Sequence, residues 1–147
     1  MSDEQNNLET MRHSLSHIMA AAVKELYPNV KFAIGPAVEN GFYYDFDLPR
    51  TLIPEDLPLI EKRMREIIKK EVKFERLEVD IKEADKKLGK SDEIYKKELI
   101  DDLKKEGEEK ISLYKTGNFI DLCKGPHIES TDDLRSVGWK LDKIAGA

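Results

Sequence analysis

The residues best suited to chemistry in this chain are few, and they are grouped. Three histidines and one cysteine are present, and all four fall in two short motifs. His13-Ser14-Leu15-Ser16-His17 is an HxxxH, and Cys123-Lys124-Gly125-Pro126-His127 is a CxxxH. Side chains four apart on a helix project from the same face, so His13 and His17 can converge on one target. On a strand through residues 119–123, Phe119, Asp121 and Cys123 alternate onto one side, with Ile120 and Leu122 on the other. A carboxylate and a thiol then share a side, and a turn at Gly125-Pro126 delivers His127.

Such a set supports more than one chemistry. His13, His17, Cys123 and His127 are suitable ligands for tetrahedral Zn²⁺, and three of them with a bound water would form a hydrolytic metal site. Without a metal, the same groups can hold a water by hydrogen bonds. A neutral histidine then acts as general base, and a lysine or backbone N–H stabilises the oxyanion. A cysteine nucleophile is a third route, weakened because no activating partner stands out. Spacing does not choose among them. The plain alternatives are exposed helix histidines, a surface-facing Asp121 and a Cys123 that is a small buried hydrophobe. The confinement of every His and Cys to two such motifs weighs against these.

The elements that must position these groups can be read from periodicity. Leu15, Ile18, Met19, Ala22, Val23 and Leu26 form one apolar stripe on a helix from about Leu8 to Leu26, stopped by Pro28. His13 and His17 lie nearly opposite that stripe, on a face with Ala20, Ala21 and Lys24 that leaves room for a ligand. Lys31 to Ile34 and Gly41 to Phe46 read as strands around Glu39-Asn40-Gly41, a turn signal. On the second strand Phe42, Tyr44 and Phe46 share a face. Pro54 can open a second helix, with Leu57, Ile60, Met64, Ile67 and Ile68 as its buried stripe. Phe74 to Val79 reads as a strand, Lys82 to Leu88 as a short helix ended by Gly89, and Ser91 to about Lys104 as a helix capped by Ser91. Ile111 to Tyr114 and Phe119 to Cys123 read as strands around Gly117-Asn118, and Val137 to Ile144 as a last one. The pattern predicts a single α+β domain over residues 1–147, a mainly antiparallel sheet with helices packed on one side.

Bulk properties limit the partners. Hydrophobic residues make up 39% and charged residues 37% of the chain, as in an ordinary globular domain. The net charge of −5 argues against strong, self-sufficient nucleic-acid binding. Lys69, Lys70, Lys73 and Arg76, and likewise Lys86, Lys87 and Lys90, read as solvated faces. No run approaches the roughly 18 apolar residues of a membrane helix, so no membrane partner is expected. The polar N-terminus is not a signal peptide. A lone cysteine permits no internal disulfide and suits a cytoplasmic location.

Several blocks together resemble a known family. Arg12-His13-Ser14-Leu15-Ser16-His17, Ala33-Ile34-Gly35-Pro36, Asn40-Gly41-Phe42-Tyr43-Tyr44-Asp45, Tyr95-Lys96 and Asp121-Leu122-Cys123-Lys124-Gly125-Pro126-His127 occur in the order found in the editing domain of bacterial-type threonyl-tRNA synthetases. The resemblance implies hydrolysis of the ester of mischarged Ser-tRNA(Thr). It implies a pocket lined by His13, His17, Tyr44, Lys96, Asp121, Cys123 and His127. In that reading the histidines hold the catalytic water and the terminal ribose, and Lys96 polarises the ester or holds a water. Asp121 binds the serine amino group or hydroxyl, and Tyr44 belongs to the pocket wall. Related alanine-type domains use the same spacing to bind zinc, whereas the threonine type is described as working without it. The Gly-Phe-Tyr-Tyr-Asp-Phe block favours the threonine type, so no cofactor is expected, with zinc as the alternative.

The resemblance also implies the partners: the acceptor end of tRNA(Thr) carrying serine, and the remainder of a synthetase chain. The sequence has no room for aminoacylation or anticodon-binding domains, so it reads as an excised fragment without ligase activity. Two other functions compete. One is a non-catalytic module that binds the tRNA acceptor end. The other is a zinc-dependent deacylase of alanine-type specificity.

Overall fold

The computed structural model describes the chain except for residues 1–2, 33–36, 39–40, 84–85, 87–93, 108, 118, 123–126, 136, 143 and 145–147. It also leaves out the side chains of residues 3–7, 37–38, 94–97, 99 and 121–122. The first apolar stripe becomes helix α1 (Asp3–Leu26), which begins at Asp3 rather than Leu8. Every residue from Ser14 to Val23 is buried. The stripe was expected to leave the histidine face open; instead α1 runs through the middle of the molecule. Helix α2 (Asp56–Lys69) packs against it, and so do strands β2 (Ala37–Val38), β3 (Gly41–Phe42), β6 (Lys110–Thr116) and β7 (Phe119–Leu122). The small Ala20 and Ala21 are buried within the protein and leave no opening for a ligand.

The expected strand from Gly41 to Phe46 divides in two. Strand β3 pairs antiparallel with β2, while β4 (Phe46–Asp47) pairs antiparallel with β1 (Lys31–Phe32). The register pairs Val38 with Gly41, and the two residues between them, Glu39 and Asn40, lie outside the described part. The alternation survives the break: Tyr44 is buried, and Tyr43 and Asp45 are exposed. Tyr44 stacks on Phe46 at 5.1 Å between ring centroids, and Phe32 meets Tyr44 edge-on at 5.6 Å.

Helix α2 buries Ile60, Met64, Ile67 and Ile68, as its periodicity predicts, while Leu57 of the expected stripe is only half-buried. It starts at Asp56 and not at Pro54, because the buried Asp56 carboxylate gathers the chain before it. Arg50 donates to it at 2.8 and 3.1 Å, Tyr27 Oη at 2.7 Å and the Ile53 N–H at 2.8 Å. The Arg50 bonds above all, then the Ile53 and Tyr27 bonds, hold this carboxyl well below the usual carboxylate range.

Strands β5 (Phe74–Asp80), β6 and β7 form one antiparallel sheet in that order. Gly117, at φ 62°, turns β6 into β7 in a conformation that favours glycine. One face of the sheet carries Phe74, Tyr114 and Phe119 toward α1. The other carries Leu77, Val79, Ile111, Leu113 and Ile120, packed with Ile81 and with Ile100 and Leu103 of helix α3 (Ile94–Lys105). This is the expected α+β class, and α3 adds a second aliphatic layer behind the sheet. The expected helix Lys82 to Leu88 and the Ser91 cap fall largely outside the described residues; Ile81, Lys82 and Glu83 are helical.

The C-terminal part departs from expectation. Ser130 Oγ accepts the Asp132 N–H at 3.2 Å and caps a 3-10 helix, Thr131–Leu134, that the sequence reading missed. The described residues between Val137 and Ile144 form no strand. Side chains of α2 hold them instead. The Arg65 guanidinium lies 4.3 Å from the Trp139 ring centroid, and Glu61 Oε1 accepts the Leu141 N–H at 3.0 Å. No helix among the described residues is long and apolar enough to cross a membrane.

Candidate functional site

Strands β6 and β7 form the floor of the site. Their register sets Thr116 opposite Phe119 and Tyr114 opposite Asp121, while Phe74 of β5 faces Thr116 from the other side. Aromatic rings on this floor receive the histidines of α1. His17 is buried and meets Phe119 at 4.8 Å and Phe74 at 5.6 Å, both nearly perpendicular. Edge-to-face packing of this kind is the favoured contact between ring systems.

The chain leaving β7 brings His127 into the same cluster. Its ring centroid lies 4.4 Å from that of His13, 5.0 Å from that of His17 and 4.4 Å from that of Tyr114. Phe74 stacks on it at 5.1 Å. The histidines of the two motifs therefore meet in space. The cluster is graded in depth: His17 is sealed, while His13 and His127 are half-buried. The latter two keep part of their surface exposed. Burial first, then the neighbouring His17 and His13 imidazoles, pushes His127 down to about 2. At neutral pH it is an uncharged imidazole.

Ser14, not singled out from the sequence, is central to this geometry. It is fully buried between the two α1 histidines. Its Oγ lies 2.8 Å from Thr10 O, 3.1 Å from His127 Nδ1 and 3.0 Å from the Ile128 N–H. The only signal in the sequence is its place inside the HxxxH, which reads as a spacer. Tyr114 was likewise missed, because a strand tyrosine is ordinary.

Of the remaining expected residues, Tyr44 is buried one ring further back, through Phe32, whose ring is 5.0 Å from Phe119. Asp121 occupies its register position on β7, and Lys96 lies on α3, a helix that also contacts β1. The side chains of both lie outside the described residues, as does Cys123 altogether. Among the described residues no group of three or more His, Cys, Asp or Glu side chains is placed to hold a metal ion. The zinc alternative needs Cys123 beside His13, His17 and His127, and of these four the structure describes only the histidines. The lysines and arginine from Lys69 to Arg76 are exposed and interspersed with exposed Glu71 and Glu75, so they read as a solvated face.

Residues 111–137 match the family model described as the threonyl and alanyl tRNA synthetase second additional domain. Over 99% of its length the chain is also 48% identical to a threonine–tRNA ligase of Lawsonia intracellularis and 51% identical to one of Clostridium tetani. A third, of Acetivibrio thermocellus, is 52% identical over the same share. The chain belongs to the second additional domain family, of the threonyl-tRNA synthetase type. It spans 22% of the length of each of these three relatives. Within the second additional domain, the matched segment supplies β6, β7 and His127. The HxxxH lies outside that segment and reaches it only through the fold.

Proposed function

We propose that this domain hydrolyses the aminoacyl ester of Ser-tRNA(Thr), the proofreading step that accompanies threonyl-tRNA synthesis. The observation that carries the reading is the convergence of His13 and His17 with the distant His127 into one ring cluster, partly exposed at His13 and His127. A synthetic site shaped for threonine excludes serine poorly, since one methyl group is worth only about 1–3 kcal/mol. A second, hydrolytic site resolves the difference.

In the reaction, water oxygen bonds to the ester carbonyl carbon and the bond to the terminal ribose oxygen breaks. One proton passes from the water to that oxygen, and serine and tRNA leave. His127 is too weak a base to keep this proton at neutral pH. It accepts a hydrogen bond and orients the water. His13, the other partly exposed imidazole, carries the proton. His17 holds the ring cluster from beneath. By the resemblance, Lys96 polarises the carbonyl or holds a water, Asp121 binds the serine amino group or hydroxyl, Cys123 lines the pocket, and threonine's extra methyl clashes in that tight pocket; Tyr44 backs the wall through Phe32. The net charge of −5 fits a domain whose tRNA affinity comes chiefly from the rest of a synthetase.

The test is deacylation of Ser-tRNA(Thr) beside Thr-tRNA(Thr), with and without a chelator, for the domain and its His13→Ala/His17→Ala variant. Selective serine release that survives the chelator and is lost in the variant supports the proposal. Chelator-sensitive release replaces it with a zinc mechanism. Absence of release at high domain concentration replaces it with a binding module.

A further inference from the structure

The buried hydroxyl of Ser14 makes three polar contacts, and a hydroxyl has one proton and two lone pairs. Thr10 O is a carbonyl and can only accept, so at 2.8 Å it takes the Ser14 proton. The Ile128 N–H can only donate, so at 3.0 Å it fills one lone pair. One lone pair remains, and His127 Nδ1 lies 3.1 Å from the oxygen. That contact is satisfied only if Nδ1 carries a proton and donates it. The opposite arrangement, with Ser14 donating to Nδ1, would set two lone pairs against each other at the shorter Thr10 contact. It would waste a bond at a site with no exposure to water.

We propose that Ser14 is a positioning residue: its hydroxyl fixes His127 as the Nδ1–H tautomer and thereby makes Nε2 the atom that accepts a hydrogen bond. The catalytic consequence rests on the hydrolysis proposed above, but the tautomer does not. The anchor is rigid on both sides. Ser14 is set by the helical carbonyl one turn before it, and the Ile128 N–H ties the backbone just after His127 to the same oxygen. A single buried hydroxyl thus fixes both the place of the imidazole and its protonation pattern. In the reaction, the water that His127 orients donates one hydrogen bond to its ring, while the water's other proton passes to His13. Only the tautomer with an unprotonated Nε2 offers that acceptor, because Nδ1 is committed to Ser14.

The experiment is long-range ¹H–¹⁵N NMR of the histidine-labelled domain near neutral pH, with His127→Asn used to assign the His127 resonances. A protonated-type Nδ1 and an unprotonated-type Nε2 in the wild-type ring are expected. A wild-type ring protonated at Nε2 overturns the proposal without any variant having to fold. In Ser14→Ala, the ring should move to the Nε2–H form or a mixture of the two. An unchanged tautomer in a folded Ser14→Ala overturns the assignment to Ser14. In the deacylation assay kcat for Ser14→Ala should fall about tenfold with KM little changed. A kcat unchanged in a folded variant would overturn the positioning role. The expected tautomer in a domain that releases no serine would refute the hydrolytic reading and leave the Ser14 assignment standing.

Discussion

Two surfaces of one small sheet are made by alternate residues of the same three strands, and they are put to different uses. Toward α3, the β5–β6–β7 sheet presents Leu77, Val79, Ile111, Leu113 and Ile120, an aliphatic layer closed by Ile81, Ile100 and Leu103. Toward α1 it presents Phe74, Tyr114 and Phe119, and the partners there are histidines. Aliphatic side chains fill space and tolerate no polar neighbour without cost. Aromatic rings pack equally closely but accept imidazole edges, so they can bury a polar cluster without salt bridges. The difference separates two roles: one face holds the sheet together, and the other gathers three imidazoles, two of them partly exposed.

The comparison breaks if damage to either face has the effect expected of the other. The largest expected effect is on the histidine face. His13→Asn should lower serine release from Ser-tRNA(Thr) by about 10²–10⁴-fold while the domain stays folded, as single-turnover deacylation and circular dichroism would show. On the aliphatic face, Leu113→Ala should cost about 2–5 kcal/mol in chemical denaturation, because Leu113 is fully buried. Its rate per folded molecule should not change. A catalytic defect there with stability intact would dissolve the distinction.

Acid gives a third, smaller effect. Unfolded His127 titrates near 6.5, and the folded side chain near 2. Between those values the unfolded chain binds a proton that the folded one refuses, so stability rises with pH and is lost as pH falls below 6.5. For one proton the slope is at most about 1.4 kcal/mol per pH unit. His127→Asn should flatten the wild-type denaturation profile by that amount in this range. Asp56, whose carboxyl is also held low, adds to the loss only below its ordinary value of 3.8. An identical slope in both proteins would show that His127 is not buried as described. The smallest effect is expected at the exposed end of the histidine face, where Arg76 donates to Ser112 Oγ at 2.9 Å. Arg76→Ala should change unfolding free energy by no more than about 0.5 kcal/mol. A larger change would extend the ordered site further along the sheet.

Much of this was legible in the residues. The stripes of α1 and α2 and the alternation on β5–β7 follow from local periodicity, so they could be read one segment at a time. The meeting of the two histidine motifs could be anticipated because no other histidine or cysteine exists to compete. What escaped depends on partners far along the chain. Ser14 looks like a spacer until Ile128 and His127 arrive beside it. The helix carrying it looks one-sided until the sheet covers its second face. The tail around Trp139 alternates like a strand, yet Arg65 and Glu61 supply its contacts from a helix. The start of α2 was misplaced because Pro54 is a visible local signal, whereas Asp56 gains its role from Arg50 and Tyr27.

The contact between Ser14 and His127 joins residues 113 positions apart. A ribosome adding roughly 5–20 residues per second makes the first of them about 6 to 23 seconds before the second. During that interval α1 has neither its aromatic floor nor its third imidazole. The nascent chain is thus catalytically silent by construction, and any hydrolytic capacity begins only after the last third of the domain has emerged and closed onto a helix made at the start.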